Sequence, residues 1–177
     1  TAVSTGAGDD EVTVSLEAET DGFFALNTES GDDSVEAGSS TLPLIIFGGE
    51  GKDDIQSGQG HDLIFGDKGR VDYRNETGRL VTRLGIGLNE ATAPGSEPEL
   101  PTDVPVYQTD GVERDPFLAT SRDAAAGDDD ILVGGDGDDL ILGGAGGDDI
   151  EGGFGDDLLI GDHADVAFDP NPAVTLT

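Results

Sequence analysis

The sequence predicts an all-β chain wound as a parallel β-roll, a β-helix or solenoid of short coils, carrying an inserted hairpin and a long loop. Three observations carry that reading. Glycine and aspartate recur in a nine-residue frame, in a chain of 177 residues with 29 Gly and 39 acids. A large aliphatic residue returns at one fixed place in each frame. Long segments that break the frame separate the regular blocks.

The frame is clearest from Gly134, where the chain reads GGDGDDLIL, then GGAGGDDIE from Gly143 and GGFGDDLLI from Gly152. A fourth step begins GDHADV at Gly161 and fades. One step back, Ala125 to Val133 keeps Asp130 and Leu132 in frame but lacks the leading glycines. An earlier block reads GGEGKDDIQ from Gly48, SGQGHDLIF from Ser57 and GDKGRV from Gly66. The sixth position is Asp53, Asp62, Asp130, Asp139, Asp148 and Asp157; the eighth is Ile55, Ile64, Leu132, Ile141, Ile150 and Leu159. Fainter copies put Asp10 and Val12, then Asp33 and Val35, in the same places. Residues 48–67 and 143–162 also align as one larger unit at an offset of 143 − 48 = 95, after which Val71 matches Val166 and Tyr73 matches Phe168.

Each step opens with turn formers, since Gly reaches positive φ freely and Asp bonds its local backbone. It closes with a short β-prone triplet such as Leu140-Ile141-Leu142. Two steps make a coil of two turns and two strands, and stacked coils give two parallel sheets around a thin aliphatic core. The N-terminal stretch, with Val12 to Leu16 and Phe23 to Leu26 alternating as strands, is expected to extend the roll with coils holding fewer ions or none. Asp9, Asp10, Asp32 and Asp33 are candidate ligands there or ordinary turn aspartates.

Composition narrows the function. Eight basic residues against 39 acids give a net charge of −31, which excludes a nucleic-acid binder that relies on a cationic face. No run approaches the ~18 apolar residues of a membrane-spanning helix, and without Cys there is no disulfide frame or thiolate chemistry. The start at Thr1, without Met or a leader, reads as a processed or excised piece of a longer chain, whose neighbouring repeats are expected partners. Low hydrophobicity with high charge is the composition of disorder, but these acids are ordered rather than scattered. Stacking at ~4.8 Å would set carboxylates of adjacent coils against each other at a cost of about 3–4 kcal/mol per pair at an effective dielectric of ~20. Several such pairs exceed the ~5–15 kcal/mol stability of a domain. A divalent cation between the turns reverses the sign. Calcium suits carboxylates and glycine carbonyls; zinc and copper favour Cys or His, and only His61 and His163 are available, both read as solvated turn residues.

The frame resembles GGxGxDxUx, with U a large aliphatic, the hemolysin-type calcium-binding nonapeptide of the RTX (repeats-in-toxin) family. The resemblance covers 48–67 and 125–162, with weaker copies near 5–13 and 28–36. It implies a calcium-bound parallel β-roll, export from a Gram-negative bacterium by type I secretion, and folding after release. It also implies several calcium ions, at least four, held by the sixth-position side chains Asp53, Asp62, Asp130, Asp139, Asp148 and Asp157. Carbonyls would come from Gly49, Gly51, Gly58, Gly60, Gly135, Gly137, Gly144, Gly146, Gly153 and Gly155. Asp67 and Asp162 would complete the last site of each block. Ala125, Ala126 and Asp128 depart from the pattern.

The expected organisation is a set of N-terminal coils over 1–47, a first repeat block over 48–70, an inserted hairpin and proline-rich loop over 71–124, a second block over 125–165 and an outgoing strand and tail over 166–177. Val71 to Arg74 and Arg79 to Leu84 read as the hairpin, residues 89–116 with five prolines as an extended loop, Val104 to Tyr107 as a brief pairing, and Phe117 to Ser121 as the return. Five basic residues between Lys68 and Arg83 balance the acidic turns or face a partner. The leading function is a calcium-stabilised, non-enzymatic structural module of a secreted or surface protein. Alternatives are the accessory repeat region of a secreted enzyme, or an adhesin segment that binds a surface or glycan through 71–124. Nearly every aspartate is accounted for by the frame, and no GxSxG, HExxH or isolated Ser/His/Asp grouping appears.

Overall fold

The computed structural model describes residues 1–75, 80–85, 115–123, 125 and 127–168. Fifteen strands and no helix occur among them: β1 (Ala2–Ser4), β2 (Glu11–Thr13), β3 (Phe24–Ser30), β4 (Ser34–Glu36), β5 (Leu44–Glu50), β6 (Asp54–Gln56), β7 (Leu63–Asp67), β8 (Gly69–Arg74), β9 (Leu80–Gly85), β10 (Leu118–Ser121), β11 (Ile131–Asp136), β12 (Leu140–Leu142), β13 (Asp149–Phe154), β14 (Leu158–Ile160) and β15 (Asp165–Ala167). The chain divides into two units, Thr1–Gly69 with Ser121–Ala164, and Arg70–Thr120 with Asp165–Thr177.

The first unit is a β-roll of about six turns. Strands β1, β3, β5, β7, β12 and β14 form one sheet in that order, and β2, β4, β6, β11 and β13 form the other. Every pairing in both sheets is parallel, as chain winding in one sense requires. Strict two-residue alternation aligns one inward column per sheet. In the first sheet the column is Val3, Leu26, Ile46, Ile64, Ile141 and Leu159; in the second it is Val12, Val35, Ile55, Leu132 and Ile150.

Burial tracks position along the stack. Leu26, Ile46, Ile64, Ile141, Ile55 and Leu132 are fully covered, whereas Val3 and Leu159 at the two ends of their column are 39% and 43% exposed. A coil therefore contributes its full ~1.5–3 kcal/mol of side-chain burial only when a coil lies on each side of it. In register on the opposite face of the first sheet, Phe47 and Phe65 stack with ring centroids 4.8 Å apart.

In the second unit, β15, β10, β8 and β9 form a four-stranded sheet in that order. The expected hairpin is the antiparallel pair β8–β9, with a bulge between Tyr73 and Arg74. The expected return, Phe117 to Ser121, forms β10, which pairs antiparallel with β15. Both strands that leave the roll, β8 with Val71 and β15 with Val166, thus join one sheet. Asp72 is buried there and accepts from Arg83 Nε at 2.7 Å and Nη2 at 2.9 Å, so this arginine serves internal charge balance. The Arg74 guanidinium stands 4.1 Å above the Phe117 ring. The pairing expected at Val104 to Tyr107, nearly all of the loop at 89–116 and the tail beyond Phe168 lie outside the described residues.

Leu132→Ala is expected to lower stability in saturating calcium by about 2–5 kcal/mol, as a cavity in a closed layer does. Leu159→Ala, in a half-exposed layer, should cost clearly less. Denaturant unfolding of both variants measures the difference.

Candidate metal centre

The two edges of the roll are built from the six leading residues of each step. On one edge the sixth-position carboxylates form a ladder through the backbone. Oδ1 of Asp33 accepts from the N–H of Asp10 (2.8 Å), Asp53 from Asp33 (3.0 Å), Asp130 from Asp53 (2.8 Å) and Asp148 from Asp130 (3.1 Å). On the other edge Asp62 accepts from Leu44 (2.7 Å), Asp139 from Asp62 (2.8 Å) and Asp157 from Asp139 (3.0 Å). Each carboxylate thus uses one oxygen to tie its coil to the preceding one.

The other oxygen is turned inward. Oδ2 of Asp10, Asp33, Asp53, Asp130, Asp139 and Asp148 is buried without a hydrogen-bond partner. A buried polar atom left unpaired costs about 1–3 kcal/mol, and more when charged, so a repeated set of them marks a site that some donor or cation completes. The first-position glycines shape the space beside them. At Gly48, Gly66, Gly134 and Gly143, the place where a Cβ would sit lies within 2.6 Å of both the Oδ2 of the sixth-position Asp and the first-position carbonyl of the next coil. Any side chain there would fill the point on which the two oxygens converge. The second- and fourth-position carbonyls run along the stack: those of Gly58 and Gly60 face Gly135 and Gly137, whose φ values of 112° and 126° require glycine.

One repeat is discontinuous. The first two positions of the Asp130 step are taken by Gly66 and Asp67. Gly66 sits against Asp130 Oδ2 as Gly48 sits against Asp53 Oδ2, and Asp67 pairs with the second-position Gly49. The chain leaves this step after Asp67 and resumes it at Gly127, which lies against the Asp67 carboxylate. Register survives the interruption, since Leu132 pairs with Ile55 and Ile141 with Ile64 as continuous coils would. The fragment GDKGRV and the degenerate step at Ala125 are therefore two parts of one nonapeptide. Stacking holds only the turn positions and the strand, so the excursion between positions two and three leaves the ladder intact.

Residues 45–70 and 125–159 match the family model of the RTX calcium-binding nonapeptide repeat, in four copies. The chain carries RTX repeats. No curated protein and no solved structure matches it. These repeats suggest a calcium-binding repeat module, and the β-roll they wind is a structural repeat fold.

Not every RTX position is equivalent. Asp62, expected to be a ligand, has both oxygens engaged, because Oδ2 accepts from Ser57 Oγ (2.6 Å) and Gly58 N–H (3.0 Å). Asp67 accepts from the N–H of Ala145 and keeps Oδ1 buried and unpaired between the split turn and the turn at Gly144. Asp157 is half-buried and Asp162 exposed, at the end of the stack. The fifth-position side chains form a separate outer row. Asp9 accepts from the Asp32 N–H, Asp32 from Lys52, Asp129 from Gly147, Asp138 from Asp156, and His61 Nδ1 from Asp138 at 2.9 Å. His61 thus belongs to that row and points away from the inner column. Among the described residues no three His, Asp or Glu side chains cluster into a metal cage. The oxygens gathered here are mixed carboxylate and carbonyl, the donor set of a hard cation with tolerant geometry.

Burial raises the inner carboxyls. Asp53 is pushed up to about 8 and Asp130 to about 7, chiefly by desolvation, with backbone hydrogen bonds opposing and neighbouring aspartates adding. Asp67 and Asp139 rise to about 6 for the same leading reason, and Asp62 and Asp148 rise as well. The ordinary value is ~3.9. A raised folded-state value favours the neutral form, so this contribution to stability is complete below about pH 4 and is lost as pH rises through about 6 to 8. In chelator the chain should therefore gain β-structure on acidification from pH 8 to pH 5, the reverse of ordinary acid unfolding. Far-UV circular dichroism across that range checks it; loss of structure on acidification contradicts the assignment.

Proposed function

We propose that this chain is a calcium-dependent structural module of an exported bacterial protein, folding where calcium is plentiful. The observation that supports it best is the column of buried, unpartnered Oδ2 atoms converging with carbonyls on notches that only glycine leaves open. Asp53, Asp130, Asp139 and Asp148 would hold the ions with the first-position carbonyls of the following coils and the second- and fourth-position carbonyls of the turns. Asp67 would add a carboxylate to the split turn, and Asp157 and Asp162 would lie at the open end. Bound calcium would supply the positive charge that lets these carboxylates ionise in place.

Folding is then coupled to location. Where calcium is scarce, a chain of net charge −31 stays extended by self-repulsion, a state suited to export. Outside, calcium at millimolar levels meets sites of the ~10⁻⁴–10⁻³ M affinity usual for extracellular modules, and binding free energy becomes folding free energy. Neighbouring repeats of a longer parent chain would continue the stack. The four-stranded sheet of the second unit is the surface through which an adhesin segment would bind a partner, but its buried Asp72–Arg83 pair favours a scaffolding role.

A calcium titration at pH 7.5 is expected to convert a coil-like circular dichroism spectrum into a β-sheet spectrum in one cooperative step. Asp139→Asn keeps an oxygen to accept from the Asp62 N–H but removes the charge. It should raise the half-saturating calcium concentration about tenfold, equivalent to ~1.4 kcal/mol. Asp138→Asn, in the outer row, should leave that midpoint unchanged.

A further inference from the structure

The first position of the repeat forms a column along each edge. Along one edge it reads Thr5, Thr28, Gly48, Gly66, Gly143 and Gly161; along the other, Ser57 is followed by Gly134 and Gly152. In each column a hydroxyl directly precedes the first glycine; on the second edge Ala37 lies in register before Ser57. Those hydroxyls are engaged with the oxygens that line the glycine notches higher up. Thr5 Oγ1 donates to the first-position carbonyl of the next coil, that of Thr28, at 3.1 Å. Thr28 Oγ1 donates to the first-position carbonyl of Gly48 at 2.6 Å. Ser57 Oγ takes the other member of the pair and donates to Asp62 Oδ2 at 2.6 Å.

We propose that Thr28 and Ser57 are hydroxyl plugs that stand in for the cation at their own turns and so fix where each column of ions begins. This deepens the calcium reading above and rests on it. Thr28 is fully buried and Ser57 nearly so. A hydroxyl supplies one proton and no net charge. It can settle one of the two converging oxygens without calcium, and its carbon fills the place the ion would need. The rest of the site is already present at both turns. The carbonyls of Glu29 and Gly31 face Gly49 and Gly51, and those of Gly58 and Gly60 face Gly135 and Gly137, as second- and fourth-position carbonyls do in the glycine-first turns. Asp33 Oδ2 is buried and unpaired beside Thr28's turn. The missing ingredient is the open notch. The coils before Gly48 therefore add no ion of their own to the column and cap its N-terminal end.

The test counts ions on the full chain. Calorimetric titration with calcium, backed by native mass spectrometry, should find four ions in the wild type, one for each two-oxygen notch. Thr28→Gly should bind five, Thr28→Ser should stay at four, and Ser57→Gly should bind five. The converse, Gly134→Ser, should bind three, with Asp139 capped as Asp62 is. That variant keeps the proposal falsifiable even where a new glycine prevents folding. Unchanged ion counts in the glycine variants and in Gly134→Ser would overturn the plugs while leaving calcium-dependent folding intact. Failure of the wild type to bind calcium at all would instead overturn the reading on which they rest.

Discussion

One constraint governs the rest of the roll. Each sixth-position carboxylate gives one oxygen to the N–H of the preceding coil, and that bond fixes the direction of the other. Because the ladder repeats at the spacing of the strands, the second oxygens form a buried line of like charge. Hydrogen bonding between coils and repulsion within the line are thus two consequences of the same side chain. The fold can keep the first only by satisfying the second, by protonation, by a hydrogen bond from a hydroxyl or by a cation. All three devices have a place in this chain: raised carboxyl pKa values at Asp53 and Asp130, Ser57 against Asp62, and glycine notches beside Asp53, Asp130, Asp139 and Asp148.

The same constraint explains how a repeat can be cut in two. The ladder needs a turn position, a carboxylate and a short strand in register; it is indifferent to covalent continuity between positions two and three. Asp53 and Asp130 are 77 residues apart yet joined like neighbours 18 apart. Lengthening a surface connection costs little, since closure entropy grows only logarithmically with its length. The turn is also the part of a coil that faces outward, where loops are tolerated.

Much of this was legible in the residues. The nine-residue frame named Val12, Val35, Ile55, Ile64, Leu132, Ile141, Ile150 and Leu159 of the inner aliphatics and aligned the sixth-position aspartates, and simple alternation marked the hairpin at Val71; Leu26 and Ile46 lie outside the frame. The frame was legible because turns and strands here are dictated locally, by glycine conformation and two-residue alternation. The split repeat was not read correctly, because Gly66-Asp67 and Asp130 satisfy the pattern only when brought together in space. The plugs escaped for a related reason. Thr28 looks like an ordinary strand residue until a 20-residue coil offset, rather than 18, puts it in line with Gly48. Asp62 fitted the pattern as well as Asp139 does, and only the hydroxyl at Ser57 distinguishes them.

The most direct measurement is anomalous scattering from crystals grown with calcium. The account predicts anomalous peaks on both edges of the roll, each ~2.3–2.6 Å from its carboxylate and carbonyl oxygens, beside Oδ2 of Asp53, Asp130, Asp139 and Asp148. A map in which those carboxylates are intact and ordered but meet only water, or share protons with one another, would contradict it.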